Sequence, residues 1–170
     1  EGSDCDVRGT DGIVTGIIGE GVAASPNPVL GWVGSLSAID PLSGYWIKVD
    51  GASSLDVFDA TPTDASSAVY ELHFGANLIS FPSANEVSVG DALPDDVEEY
   101  FTDIFTENLS ATKNEYGEWI GSLAQIGLQH LKGYWVNVSE DLEFSYVQTD
   151  LSARNYNNDI PEFIRLDIPN

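Results

Sequence analysis

The residues best spaced for chemistry lie near the N-terminus, where Asp4-Cys5-Asp6-Val7-Arg8-Gly9-Thr10-Asp11-Gly12 sets acidic side chains at intervals among glycines. A calcium loop uses such a pattern, because several oxygens must converge on one hard cation around a sharp turn. The match fails at Arg8, which puts a cation where such a loop wants an oxygen ligand. Calcium is therefore the one metal candidate, and an acidic turn is the plainer reading. Asp95, Asp96, Glu98 and Glu99 concentrate carboxylates at an expected helix start, where the dipole favours anions, and read as a solvated helix start. The two histidines, His73 and His130, offer no ligand pair at useful spacing. No Gly-x-Ser-x-Gly elbow presents a serine nucleophile, and Gly34-Ser35 and Gly121-Ser122 read as turns. A glycosidase carboxylate pair is unassignable among 28 acids. The expectation is a protein that is not an enzyme, with no catalytic residues, no cofactor and no metal. Asn108-Leu109-Ser110 and Asn137-Val138-Ser139 fit the glycosylation acceptor pattern, which matters only in a host with that machinery.

The elements that would position these residues follow from an internal repetition. Residues 14–36 align without a gap on 101–123 at a shift of 87, and nine of 23 positions are identical: Thr15/Thr102, Ile17/Ile104, Glu20/Glu107, Ala24/Ala111, Asn27/Asn114, Trp32/Trp119, Gly34/Gly121, Ser35/Ser122 and Leu36/Leu123. After a two-residue insertion the match resumes with Gly44-Tyr45-Trp46 on Gly133-Tyr134-Trp135. Residues 69–100 have no counterpart before Val14, so the first copy reads as beginning in mid-module. Carrying the shift forward sets Ile79-Ser80-Phe81-Pro82 on Leu166-Asp167-Ile168-Pro169. The chain then reads as the back half of one module, a whole module, and the front strand of a third. A fragment of a longer tandem array is the third possibility beside closure within the chain and exchange between chains.

Composition bounds the rest. With 42% hydrophobic and 11% aromatic residues among 170, the chain has the means to bury one or two cores. Six Lys+Arg against 28 Asp+Glu give a formal net charge of -22, which repels phosphate backbones and anionic lipid. No nucleic-acid partner and no membrane insertion are expected, since no stretch approaches the roughly 18–20 apolar residues of a span. The one cysteine, Cys5, excludes an intrachain disulfide and a CxxC motif. The sequence contains no Met and no signal peptide is visible in it, and a processed product is expected.

The local patterns predict a mainly β fold: two copies of an approximately 87-residue β-rich module in permuted register, with one short helix in the complete module. Residues 1–12 read as an arm, 13–60 as the incomplete first module, 61–68 as a linker, 69–148 as the complete second module, and 149–170 as a tail carrying a front strand. Strands are expected at 13–18, 44–49, 55–58, 69–74, 77–81, 101–105, 117–124, 133–138 and 142–148. The helix is expected after Ser88 as N-cap, with Asp91 completing a capping box and Pro94 at a helix start. Period-two geometry places Tyr134, Val136 and Val138 inward, like Tyr45, Ile47 and Val49, and leaves Trp46 and Trp135 outward. All four tryptophans, Trp32, Trp46, Trp119 and Trp135, occupy duplicated positions. They are candidates for packing, for an acceptor interface, or for stacking on a sugar ring.

Asn77-Leu78-Ile79-Ser80-Phe81-Pro82, Gly16-Ile17-Ile18-Gly19-Glu20-Gly21-Val22-Ala23-Ala24, Trp32-Val33-Gly34-Ser35-Leu36, Gly44-Tyr45-Trp46 and Phe144-Ser145-Tyr146-Val147-Gln148 together resemble the repeat modules of large secreted, multi-domain surface proteins of environmental bacteria. The resemblance covers most of 13–148. It implies an extracellular or cell-surface setting beside adhesive, cell-wall and hydrolase domains, with no catalytic role for the repeat. The functional expectation is an extracellular structural protein that partners with itself. Ile164, Leu166, Ile168 and Pro169 act as donor strand into the incomplete first module, giving a head-to-tail filament or array. The rival is a carbohydrate-binding or adhesive module that uses outward tryptophans on glycans.

Overall fold

The computed structural model describes residues 6–8, 13–58, 67–83, 85–147 and 163–168, with the backbone alone at 6–8, 53–58 and 163–168. The fold is mainly β and divides into two compact units. One comprises Glu1–Ile39, Trp46–Pro62 and Ser152–Asn170, the other Asp40–Tyr45 and Thr63–Leu151. No helix among the described residues is long and apolar enough to cross a membrane.

The first unit contains β1 (Asp6–Arg8), β2 (Val14–Ile18), β3 (Ala23–Asn27), β4 (Gly31–Gly34), β5 (Trp46–Val49) and β6 (Ser53–Phe58). Four of them form an antiparallel sheet in the order β4-β3-β2-β5. A tight turn at Gly19–Val22 joins β2 to β3, closed by the Gly19 N–H on the Val22 carbonyl at 2.9 Å. Between β3 and β4 the Asn27 Oδ1 accepts from the Val29 and Leu30 N–H groups, so a side chain takes the place of a backbone partner in the turn. Strand β2 skips one residue against β5: Val14 faces Val49 and Gly16 faces Lys48, which makes Thr15 a bulge.

The second unit holds the main core. Its strands are β7 (Tyr70–Leu72), β8 (Gly75–Ser80), β9 (Phe101–Thr106), β10 (Leu109–Lys113), β11 (Trp119–Ile120), β12 (Gly133–Val138) and β13 (Leu142–Phe144). Five make an antiparallel sheet in the order β11-β10-β9-β12-β8, while β13 pairs with β7. Alternation along β12 buries Tyr134, Val136 and Val138 and leaves Trp135 and Asn137 partly exposed, as the period-two reading expects. The buried face meets Tyr70, Phe81, Phe144 and Tyr146, whose rings stack or meet edge to face at centroid distances of 5.0–5.3 Å. Asn77 is buried but satisfied, since its side chain accepts from the His73 N–H and donates to the His73 carbonyl. Segment 40–45 belongs to this unit. Ser43 bridges Ile79, Gly44 donates to the Leu78 carbonyl at 2.9 Å, and Ser80 donates to the Leu42 carbonyl at 2.9 Å, so the outer edge of β8 is covered. A Cβ on Gly44 would lie 2.8 Å from the Ile79 carbonyl oxygen, which restricts that position to glycine.

The helices differ from expectation. Ser88 does cap α1 (Val89–Ala92): its Oγ accepts from the Asp91 N–H and donates to the Asp91 carboxylate. The α-helix ends there, because the residue before Pro94 is driven extended, and Leu93 sits at φ -94, ψ 139; beyond Pro94 only a short 3-10 helix forms, Glu98–Tyr100, with Glu98 and Glu99 in its first turn. A second α-helix, α2 (Ser122–Ile126), replaces the end of the strand expected over 117–124. Strands β3, β4 and β10 also form where none was expected.

The last described strand, β14 (Phe163–Ile168), belongs to the first unit. It pairs antiparallel with β6 along six residues, Phe163 opposite Phe58 to Ile168 opposite Ser53, in the order β1-β6-β14. Within the arm expected over 1–12, Asp6–Arg8 is strand β1, opposite Phe58 to Asp56, and the other residues of that segment lie outside the described residues.

Candidate strand-acceptor site

The sheet β4-β3-β2-β5 follows the same strand order as β11-β10-β9-β12, and the details repeat at the shift seen in the sequence. The Ser35 Oγ accepts from the Ala23 N–H at 3.1 Å, and the Ser122 Oγ accepts from the Ser110 N–H at 3.2 Å. The Thr15 hydroxyl donates to the Lys48 carbonyl, and the Thr102 hydroxyl to that of Asn137. The Tyr45 hydroxyl accepts from the Asp40 N–H, and that of Tyr134 from the Gln129 N–H. Thr102 is bulged between Phe101 and Asp103 against β12, as Thr15 is against β5.

The two sheets differ in what covers them. In the second unit Phe101, Ile104, Ala111, Leu123, Val136 and Val138 are all buried. At the matching positions of the first unit, Val14 and Ala24 are buried, but Ile17, Leu36, Ile47 and Val49 remain partly exposed. The edges differ as well. Strand β12 lies between β9 and β8, with Tyr134 opposite Ile79 and Val136 opposite Asn77. Strand β5 has β2 on one side and is the last strand of its sheet among the described residues. The Asp50 N–H donates to the Ile13 carbonyl across that pair at 3.0 Å. By alternation the backbone groups of Lys48 and Trp46 also face β2, while those of Ile47 and Val49 face the open edge.

The four tryptophans separate into two environments. Trp119 is partly exposed beside the core; its indole N–H donates to the Glu98 carboxylate at 2.6 Å and Lys113 lies 5.1 Å from its ring centroid. Lys113 also donates to the Glu98 carbonyl. Burial lowers the Lys113 pKa, against the pull of Glu98 and Glu99. Trp32, the counterpart of Trp119, stands opposite Pro26 and is 51% exposed. On the outward face Trp135 stacks on Phe105 with centroids 6.4 Å apart. Its counterpart Trp46 stands opposite Ile18, with the two 42% and 50% exposed.

Of the proposed donor residues, Ile164 stands opposite Val57, Leu166 opposite Leu55 and Ile168 opposite Ser53, while Pro169 lies outside the described residues. A strand equivalent to Asn77–Phe81 would lie beside β5; β14 lies beside β6 instead, the place that β7 takes beside β13. Asp6, Val7 and Arg8 are extended and paired, unlike the turning backbone of a calcium loop, and the rest of that run lies outside the described residues, as does the linker 61–66. Among the described residues no three His, Cys, Asp or Glu side chains are grouped to hold a metal. Asn108 occupies the exposed β9–β10 turn at φ 61, whereas Asn137 lies within β12. Sequence reasoning expected the first module to lack the counterpart of Asn77–Phe81 but did not place the gap at Ile47 and Val49, the edge left open among the described strands. Its signal was available: Trp46–Val49 matches Trp135–Val138, and β12 has neighbours on both sides.

Comparison with family models, with curated proteins and with solved structures finds no match for this chain.

Proposed function

We propose that the chain is an extracellular structural protein made of two copies of one β module, and that it associates with itself head to tail by exchanging its C-terminal strand. The carrying observation is the six-residue ladder between β14 and β6. A neighbour's Phe163–Ile168 can form the same ladder without loss of pairing, which makes exchange a low-cost route to association. Such a contact is heterologous, so it propagates into a filament unless its rotation closes a ring. The module reading is supported by the nine shared residues, the common strand order, and the repeated bulge and serine and tyrosine hydrogen bonds. The extracellular setting is supported by the resemblance of the motifs to secreted repeat modules.

The test places cysteines at Leu55 and Leu166, which face each other across the ladder, in a Cys5→Ser background. Exchange gives interchain disulfides that grow with protein concentration, and a chain ending before Asp159 stays monomeric. Purely intrachain disulfides at every concentration, with full-length and shortened chains equally monomeric, would overturn the reading.

The rival is favoured by one observation, the exposed Ile18 and Trp46 pair. An exposed indole beside an exposed apolar side chain suits the face of a sugar ring. A glycan-array signal lost on Trp46→Ala would select that reading, with Trp135→Ala losing less because Phe105 already covers that ring.

A further inference from the structure

We infer that the open edge of β5 is a built acceptor for one more strand, and that its occupant is a segment of the module's own Gly75–Phe81 type, supplied by another copy of that module. The inference rests on reading the two sheets as copies of one module, but not on exchange of the C-terminal strand.

Three observations converge on this edge. The first is the vacant ladder position. Ile47 and Val49 direct their N–H and C=O groups away from β2, and β5 closes the sheet among the described strands. Sheet edges left this way are ready templates for pairing, and proteins blunt them with proline, bulges or inward charges. Strand β5 carries no proline and no bulge of its own; of the known devices it has only its shortness and a lysine. Its one charge, Lys48, lies on the face opposite Ile47 and Val49, and the bulge is in β2.

The second is the incompletely covered inner face. Ile17, Leu36, Ile47 and Val49 are partly exposed at positions whose counterparts Ile104, Leu123, Val136 and Val138 are fully covered. Two of the residues that cover the second sheet, Ile79 and Phe81, come from β8 and the residue after it.

The third identifies the occupant. The second unit shows what the equivalent edge takes: β8 runs antiparallel to β12, with Asn77 opposite Val136 and Gly75 opposite Val138. Transferred to the first sheet, an incoming strand sets its Asn77 position opposite Ile47 and its Gly75 position opposite Val49. Its Ile79 and Phe81 positions then turn inward, over the partly exposed face. The odd-numbered residues of β8 face β12, since the Phe81 N–H donates to Lys132 while Leu78 and Ser80 bond to segment 42–44 on the other side. The incoming strand must therefore engage β5 through residues 75 and 77, opposite Val49 and Ile47, and turn the groups of 76 and 78 away from it. Main-chain bonds supply the affinity and the alternating pockets the specificity.

The probe is a synthetic peptide of the sequence Leu72–Ser83, added to the full chain. The expected result is slowed amide exchange at Ile47 and Val49 and reduced exposure of Ile17 and Leu36. Ile47→Pro removes a donor aimed at the open edge and should weaken binding roughly tenfold or more, the scale of one or two main-chain bonds. Two modified peptides keep the test independent of that variant's folding. N-methylation at residues 75 and 77 should abolish binding, and N-methylation at 76 and 78 should leave it. No binding by the unmodified peptide, protection away from β5, or equal binding of the two methylated peptides would overturn the inference. The chain ending before Asp159 should bind the peptide as the full chain does. A full-length chain that stays monomeric yet binds the peptide sinks strand exchange alone. One that exchanges strands yet ignores the peptide sinks the acceptor edge alone.

Discussion

Two glycines carry the tightest steric demands in the described chain. Gly34 and Gly121 lie at φ +148 and +119, and a Cβ there would sit 2.1 Å from the Ala23 carbonyl oxygen and 2.4 Å from that of Ser110. Both neighbours are backbone and cannot swing aside. Gly34→Ala and Gly121→Ala should each cost about 2–4 kcal/mol in a urea melt, from backbone strain and overpacking together. Gly21→Ala, at φ +66 with open space around it, should cost only about 1–2 kcal/mol. Asp103 makes a different prediction. Hydrogen bonding from Thr112, its cross-strand partner, holds its carboxyl below the usual carboxylate range, opposed by burial and assisted by Thr102 and Asn137. A depressed folded pKa means the stabilisation is fully present above the ordinary carboxylate pKa and disappears as pH falls through the folded value. Asp103→Asn should therefore lower stability modestly at neutral pH, and the two melting curves should converge in acid. A gap that persists below both pKa values would assign the effect to packing instead of charge.

At the level of elements, matched substitutions in the two sheets measure how well each face is covered. Leu123 is fully buried and Leu36 partly exposed at the matching position. Leu123→Ala should cost about 2–5 kcal/mol, the range for a core leucine that leaves a cavity. Leu36→Ala should cost less than about half of that, and equal losses would mean that the first face is covered as fully as the second. The same comparison explains what the sequence revealed. Tyr134, Val136 and Val138 were legible as an inward face because strict alternation has one structural solution. Strand β3 was not legible, since Ala23-Ala24-Ser25-Pro26-Asn27 has weak strand propensity and forms through its partners β2 and β4. Helix α2 was hidden for the opposite reason. Gly34-Ser35-Leu36 and Gly121-Ser122-Leu123 begin alike, but the second continues Ala-Gln-Ile, which favours a helical turn, while the first runs into Ser37 and then Pro41. Segment 163–168 reads as a strand from its alternation, yet the edges of both β5 and β6 suit that pattern, so its ladder partner could not be chosen from sequence.

For the whole molecule, charge decides how readily these neutral ladders can form between chains. Twenty-eight acids against six basic residues give -22, and every approach of two copies brings like charge together. Main-chain pairing and apolar cover carry no net charge, so they gain nothing from the long-range field and must overcome it. Screening shortens that repulsion from about 30 Å at roughly 0.01 M salt to about 3 Å at roughly 1 M. Association through β14 or the β5 edge should therefore strengthen with ionic strength, read as a rise in weight-average mass by sedimentation at fixed protein concentration. The shortened chain that ends before Asp159 separates the two routes, because salt-dependent growth that survives in it cannot come from β14. Association that weakens as salt rises would point to attractive charge pairs between copies as its source, against both strand-based routes.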